Sequence, residues 1–341
     1  MSASTVNRLD IINIGLVLFS CALAFVIPFQ LFLFAYGILG PLHYLTEISW
    51  LHDKNYYAQS NRDVILLVVL SLMLTVIYLL GVNNPELLKR YFDNEESARL
   101  SGHLTFIAFA SALFFAFIKK PVIRWTGVVC AILLTVVSDY FLIFFTVFLP
   151  TLVHVFVFTS LFMLYGALKS KSNVGYLSVA LHLLCPFLLF YLFPADHFLS
   201  SLGREQYIKS DFAVLNKFLV FKYFQGPELG QITQDNMLYQ VYDSKIGLAI
   251  MRFIAFAYTY HYLNWFSKTD IIRWHKVPKA RFVAVIVGWL ISIVLYSINF
   301  RVGFQWLFLL SFMHVMLEFP LNYVSFMGIF SEMRARLFKS A

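Results

Sequence analysis

Apolar residues in this chain neither alternate with a period of two nor keep to one helical face. They run on in long blocks separated by short polar interruptions. A bilayer core of about 30 Å takes roughly 20 apolar residues per helix. Blocks of that size recur at 11–37, 64–81, 103–118, 122–140, 142–167, 174–193, 246–265, 281–299 and 304–329. The pattern predicts an all-α polytopic transmembrane helical bundle of about nine spans, forming a single integral membrane domain over residues 1–341. Val122 to Leu168 is nearly unbroken and divides either at Ser138-Asp139-Tyr140 or at Pro150. The first choice puts His154 at mid-membrane with Pro150 as a kink, and the second puts His154 near a membrane surface.

Composition narrows the class further. The hydrophobic set makes up 60% of the 341 residues and charged residues only 13%, against about a quarter charged in soluble domains. An ordinary soluble, disordered or disulfide-rich protein is excluded. Cys21, Cys130 and Cys185 sit in apolar blocks without Cys-x-x-Cys spacing and read as small buried hydrophobes.

The net charge of +8 is carried mainly by short clusters between the blocks: Lys119, Lys120 and Arg124; Lys169 and Lys171; Lys268, Arg273, Lys276, Lys279 and Arg281; Arg334, Arg336 and Lys339. Such clusters set membrane orientation and do not point to nucleic acid. Nine spans put all four in the cytoplasm of a bacterial inner membrane protein, with the N-terminus outside and the C-terminus cytoplasmic. The acidic 86–99 loop and a 194–245 insertion then lie outside. That insertion holds Tyr207, Phe212, Phe218, Phe221, Tyr223 and Phe224, enough aromatic surface to fold against the membrane or to dock a partner subunit.

Ionisable groups inside apolar spans cost about 2.5–3.5 kcal/mol each on insertion scales, so each is a functional candidate. The end of the first span reads Gly40-Pro41-Leu42-His43-Tyr44-Leu45-Thr46-Glu47, followed by Trp50, His52 and Asp53; the fifth span carries His154. The seventh ends Tyr258-Thr259-Tyr260-His261-Tyr262-Leu263-Asn264-Trp265, and the ninth holds Phe312-Met313-His314-Val315-Met316-Leu317-Glu318. His43 and Glu47, like His314 and Glu318, are four apart and share a helix face. A metal-bound imidazole donates its second N–H to a carboxylate or carbonyl, so each acid reads as that acceptor or as a ligand itself. The metal-ligand candidates are therefore His43, His154, His261 and His314, with Glu47 and Glu318 beside them. Imidazole ligands suit iron, zinc or copper, and open positions on Fe(II) favour oxidative chemistry on a lipid-soluble substrate. His103 and His182 read as packing histidines. His52 and Asp53 read as water-edge groups, and Arg252 as a snorkelling cation or headgroup partner.

These windows carry a remote resemblance to the Brp/Blh-type membrane β-carotene dioxygenases, polytopic proteins in which histidines from several helices hold a non-haem iron. Pro41-Leu42-His43 with Glu47 resembles that family's Pro-His-Gly-x-x-Asp site. Tyr258 to Phe266 is similar to its aromatic-x-x-His-Ser-x-x-His-Phe site, with Trp265 in place of the second histidine. His314 with Glu318 is similar to its last site, and His154 takes the place of its second histidine. The resemblance implies an iron-dependent oxygenase. Two readings from other classes stay open on the residues alone: a proton-coupled small-molecule or lipid transporter, in which the same groups relay protons, and a structural or assembly subunit of a membrane complex.

Overall fold

Each apolar block is long enough to satisfy its own backbone as a helix, the only open-ended solution in a bilayer. The computed structural model describes residues 3–54, 60–135, 144–191, 201–210, 212–223, 233 and 236–339, and among these there is no strand. The helices are α1 (Ala3–Val26), α2 (Pro28–Phe34), a π-helical turn (Ala35–Leu39), α3 (Gly40–Lys54), α4 (Asn61–Asn83), α5 (Pro85–Lys89), α6 (Asn94–Phe117) and α7 (Pro121–Thr135). A π-helical segment (Phe144–Phe158) continues into α8 (Thr159–Ser170), and α9 (Asn173–Tyr191), α10 (Arg204–Lys209), α11 (Ala213–Tyr223) and α12 (Met237–Tyr242) follow. The chain ends with α13 (Lys245–Ser267), α14 (Thr269–Ile272), α15 (Lys279–Ile298) and α16 (Phe300–Lys339). Among the described residues eight helical runs are long and apolar enough to cross a membrane, α7 is a shorter apolar helix, and α13, enclosed by the others, is not one of the eight.

The central helix is α13. It is buried along nearly its whole length, which lets it carry Arg252, Thr259, His261 and Asn264 out of contact with lipid. Helices α1, α2, α9 and the 144–158 segment pack around it. The outer helices do the reverse. On α7 and α15, side chains such as Val122 (77% exposed), Leu133 (63%) and Ile298 (73%) point outward as lipid-facing surface.

The N-terminal block departs from the expected single span 11–37. Pro28 has no N–H, and a residue before proline is pushed out of the α region. Ile27 adopts φ −132°, and a new helix starts with proline in its first turn. The chain folds back there. On α1, Asn13 meets Tyr260 and Ser267 while Phe25 meets Arg252, so α1 runs antiparallel to α13. After the turn, Phe32 meets Tyr258 and Thr46 meets Trp265, so α2 and α3 run parallel to it. One extra crossing changes the parity of the bundle. Asp10 contacts Ser172 at 2.5 Å, and Arg336 reaches Tyr176 and the Leu168 carbonyl at 2.9 and 2.8 Å. Both described chain ends therefore lie against the 168–176 connection, on one face, and not on opposite faces as nine spans required.

Within the block 122–168, α7 is described to Thr135 and the next segment from Phe144, and the candidate dividing point Ser138, Asp139 and Tyr140 lies outside the described residues. Pro150 sits inside the helical segment, so it is the kink and His154 lies within the bundle. Arg124 is not a loop cation but is buried against Asp63 at 3.0 Å, tying α7 to α4. Opposite the basic face, α10 to α12 cover the ends of α2 and α13. Tyr207 packs against Phe29 and Phe32, and Phe212 packs on Phe32 and Tyr36 at 4.9 and 4.4 Å.

With the three native cysteines replaced by alanine, thiols placed at Arg8 and Lys276 should react with a membrane-impermeant maleimide from the same side, and one at Arg90 from the other. Labelling of Arg8→Cys together with Arg90→Cys would restore the nine-span topology.

Candidate metal centre

Four imidazoles from four separate helical elements meet inside the bundle. His43 comes from α3, His154 from the π-helical segment, His261 from α13 and His314 from α16, and each is at most 6% exposed. One ring nitrogen of each lies within 4.8 Å of every other. The closest approaches are His43 Nε2 to His261 Nε2 at 3.1 Å and His154 Nε2 to His314 Nε2 at 3.2 Å.

Both prolines that precede a site histidine are associated with wide turns. Pro41 follows the π turn Ala35–Leu39, and Pro150 lies within Phe144–Phe158. A proline ring clashes with the carbonyl four residues back, and a wider turn relieves that clash. Thr151 Oγ1 donates to the Val147 carbonyl one turn back, beside the proline. The widened winding also changes which residues share a face. Residues five apart on an α-helix diverge by about 140°, yet His154 and Thr159 both reach His261. Thr159 Oγ1 lies 2.8 Å from His261 Nδ1, and the His154 and His261 rings are 4.7 Å apart.

The two carboxylates are placed differently from each other. Glu47 Oε2 lies 3.1 Å from His43 Nε2, the nitrogen that also faces His261, so this oxygen stands on the cluster side of the ring. Glu318 Oε2 lies 3.1 Å from Nδ1 of His154 and not beside His314, its neighbour one turn back. His154 turns its Nε2 toward the cluster, so Glu318 stands behind it. Neither oxygen has a well-directed hydrogen bond among the described residues, and His43 Nδ1 and His314 Nδ1 have none either. Buried carboxylate oxygens without donors are costly.

Aromatic rings set the walls. Tyr44 stacks on His314 at 4.2 Å, and its hydroxyl is 2.7 Å from that of Tyr262. A Cβ on Gly40 would come within 3.1 and 3.2 Å of these two hydroxyls, so the α3 start is open at Gly40 to admit the pair. Trp265 presents its edge to His43 and donates Nε1–H to Thr46 at 3.1 Å.

The remaining singled-out residues lie elsewhere. His52 and Asp53 are exposed at the end of α3, where Asp53 accepts from Arg281 at 2.5 Å. His182 is buried among Phe156, Phe256 and Tyr260, and His103 is half-buried on α6. Arg252 donates Nε–H to the Phe25 carbonyl at 3.0 Å and lies over the Phe25 ring. Just past α13, burial pushes the Lys268 ammonium down to about 8, an effect partly offset by the carboxylates of Asp10 and Glu318. Thr159, Tyr44 and Tyr262 carry no sequence signal of a site, because threonine and tyrosine are ordinary residues in such spans.

The donor set fits a transition metal. At about 2.0–2.1 Å per bond, adjacent ligands stand about 2.9–3.3 Å apart and opposite ones about 4.1 Å. The two short nitrogen pairs match the first spacing, and the widest exceeds the second by about 0.7 Å. Neutral imidazoles with two nearby carboxylates also balance a divalent charge, which answers the orphaned oxygens. Comparison with known protein families, with curated proteins and with solved structures finds no match.

Replacing Thr159 with Val removes the hydroxyl behind His261 at almost constant volume, and metal affinity is expected to fall about 10–100-fold, with Thr159→Ser retaining it. Pro150→Ala, which lets the segment wind as an α-helix, should show the same loss. Titration of the purified variants with Co(II) measures both, and wild-type affinity in Thr159→Val would remove that residue from the centre.

Proposed function

We propose that this protein is a membrane-embedded metal-dependent enzyme, an oxygenase acting on a lipid-soluble substrate. The observation that supports it most is the convergence of His43, His154, His261 and His314 within 4.8 Å at a fully buried point. Packing alone has no need of four imidazoles at one spot when each costs free energy to bury.

In this reading His43, His154, His261 and His314 hold the ion, and Glu47 joins them or balances its charge. The range of nitrogen separations favours a five- or six-coordinate ion, hence Fe(II), over tetrahedral Zn(II), with Cu(II) the other imidazole-compatible choice. Bound Fe(II) supplies reactivity toward dioxygen at a position the protein does not fill. The chain's own residues orient and insulate. Glu318 and Thr159 fix the rings of His154 and His261, while Tyr44 and Trp265 exclude water around His314 and His43. The resemblance of the His43, His261 and His314 windows to Brp/Blh-type dioxygenases supports the same class. The basic face is taken as cytoplasmic. The centre then lies near that side, since His261 is six residues, about 9 Å, from the end of α13.

Elemental analysis of detergent-purified protein is expected to find about one equivalent of iron, lost in His261→Ala and depleted in Glu47→Gln, with both variants still folded by circular dichroism. Full metal in both, or none in the unmodified protein, would leave the transporter and assembly-subunit readings in its place.

A further inference from the structure

Helices α3 and α16 each have two working faces. His43 and Glu47, and His314 and Glu318, look toward the candidate metal centre. Roughly opposite on α3, and turned well aside on α16, Leu45, Ile48, Ser49, Met313 and Leu317 line a separate cavity of about 300 Å³. Its other wall is α4, through Val64 and Val68. Val64 and Val68 are themselves only half-buried, so this wall lies at the lipid-facing edge of the bundle.

The cavity is apolar except at one end, where Ser49, His52 and Arg281 converge. Ser49 Oγ is buried there without a hydrogen-bond partner. Arg281 donates one N–H, from Nη1, to Asp53 and is still a third exposed, which leaves part of its five-donor fork accessible. Among the described residues two carboxylates stand near this mouth, Asp53 on Arg281 and Asp63, next to Val64, buried on Arg124. Against them stand Arg281 and Arg124 themselves, Lys279 two residues before Arg281, and Arg62 two residues before Val64. The excess is positive, and it lies on the face that carries all four basic clusters. An apolar slot with a few polar groups at one end is the form of a small-ligand site, and this volume is at the small end of such sites, enough for one acyl chain.

We infer that this cavity is a binding site for an anionic phospholipid, with one acyl chain lying along Leu45, Ile48, Met313 and Leu317 and the phosphate on Arg281 and His52. Anionic lipid is drawn to basic juxtamembrane clusters, and a guanidinium takes phosphate in a bidentate fork. The site is independent of whether a metal binds on the other face of the same helices.

Native mass spectrometry of protein released from vesicles of phosphatidylglycerol and phosphatidylcholine in equal parts tests this directly. Wild type is expected to retain one phosphatidylglycerol and to prefer it at least tenfold over phosphatidylcholine. Val68→Trp, which fills the cavity mouth from a partly exposed position, should lose retention of both. Arg281→Gln should keep chain binding but lose the preference. Equal retention of the two lipids by wild type, retention of free fatty acid in place of phospholipid, or unchanged phosphatidylglycerol retention in Val68→Trp would overturn the site. If Arg281→Gln does not fold, the Val68→Trp comparison decides alone.

Discussion

Six ionisable side chains share one small apolar volume, and the rest of the bundle is arranged around their cost. Four imidazoles and the carboxylates of Glu47 and Glu318 are each no more than 6% exposed. Isolated, groups of this kind are expelled from hydrocarbon or neutralised. Together they become tolerable, because rings and carboxylates stand at 3.1–3.2 Å and every one of them is shielded by other helices. That shielding explains the position of α13. A helix bearing Arg252, His261 and Asn264 cannot face lipid, so more apolar helices surround it.

The same constraint gives meaning to the backbone irregularities. A uniform α-helix through Pro41 or Pro150 would drive the proline ring into the carbonyl four residues back, and both regions adopt wide turns close to a site histidine. Wide turns of this kind recur at functional sites because they aim side chains in directions a regular helix does not offer. In the 144–158 segment the gain is visible: His154 and Thr159 contact the same imidazole.

Much of the architecture can be read from the sequence because a bilayer leaves few choices. Long apolar blocks become helices, and histidines within them at four-residue spacing from acids mark the centre. What the sequence concealed depended on backbone geometry and on three-dimensional pairing. Pro28 looked like an interior residue of one block, and only its effect on Ile27 turns that block into a helical hairpin. Glu318 shares a face with His314 by spacing but pairs with His154 across the bundle. Thr159 is reached only through a π-helical register that side-chain periodicity does not reveal. Cys130, read as buried, is exposed on α7, while the thiols of Cys21 and Cys185, far apart in sequence, meet between α1 and α9.

The order in which the ligands are made has a consequence for biosynthesis. His43 and His261 are 218 residues apart, and α16, which brings His314 and Glu318, is made after both. At roughly 5–20 residues per second of synthesis, His43 and Glu47 wait on the order of 10–40 s for His261 and longer for His314. During that interval α3 is a helix with an uncompensated polar face in or beside the bilayer. The early chain therefore needs shelter from the insertion machinery or from its own hairpin partner α1, and the centre closes only when α13 and α16 arrive.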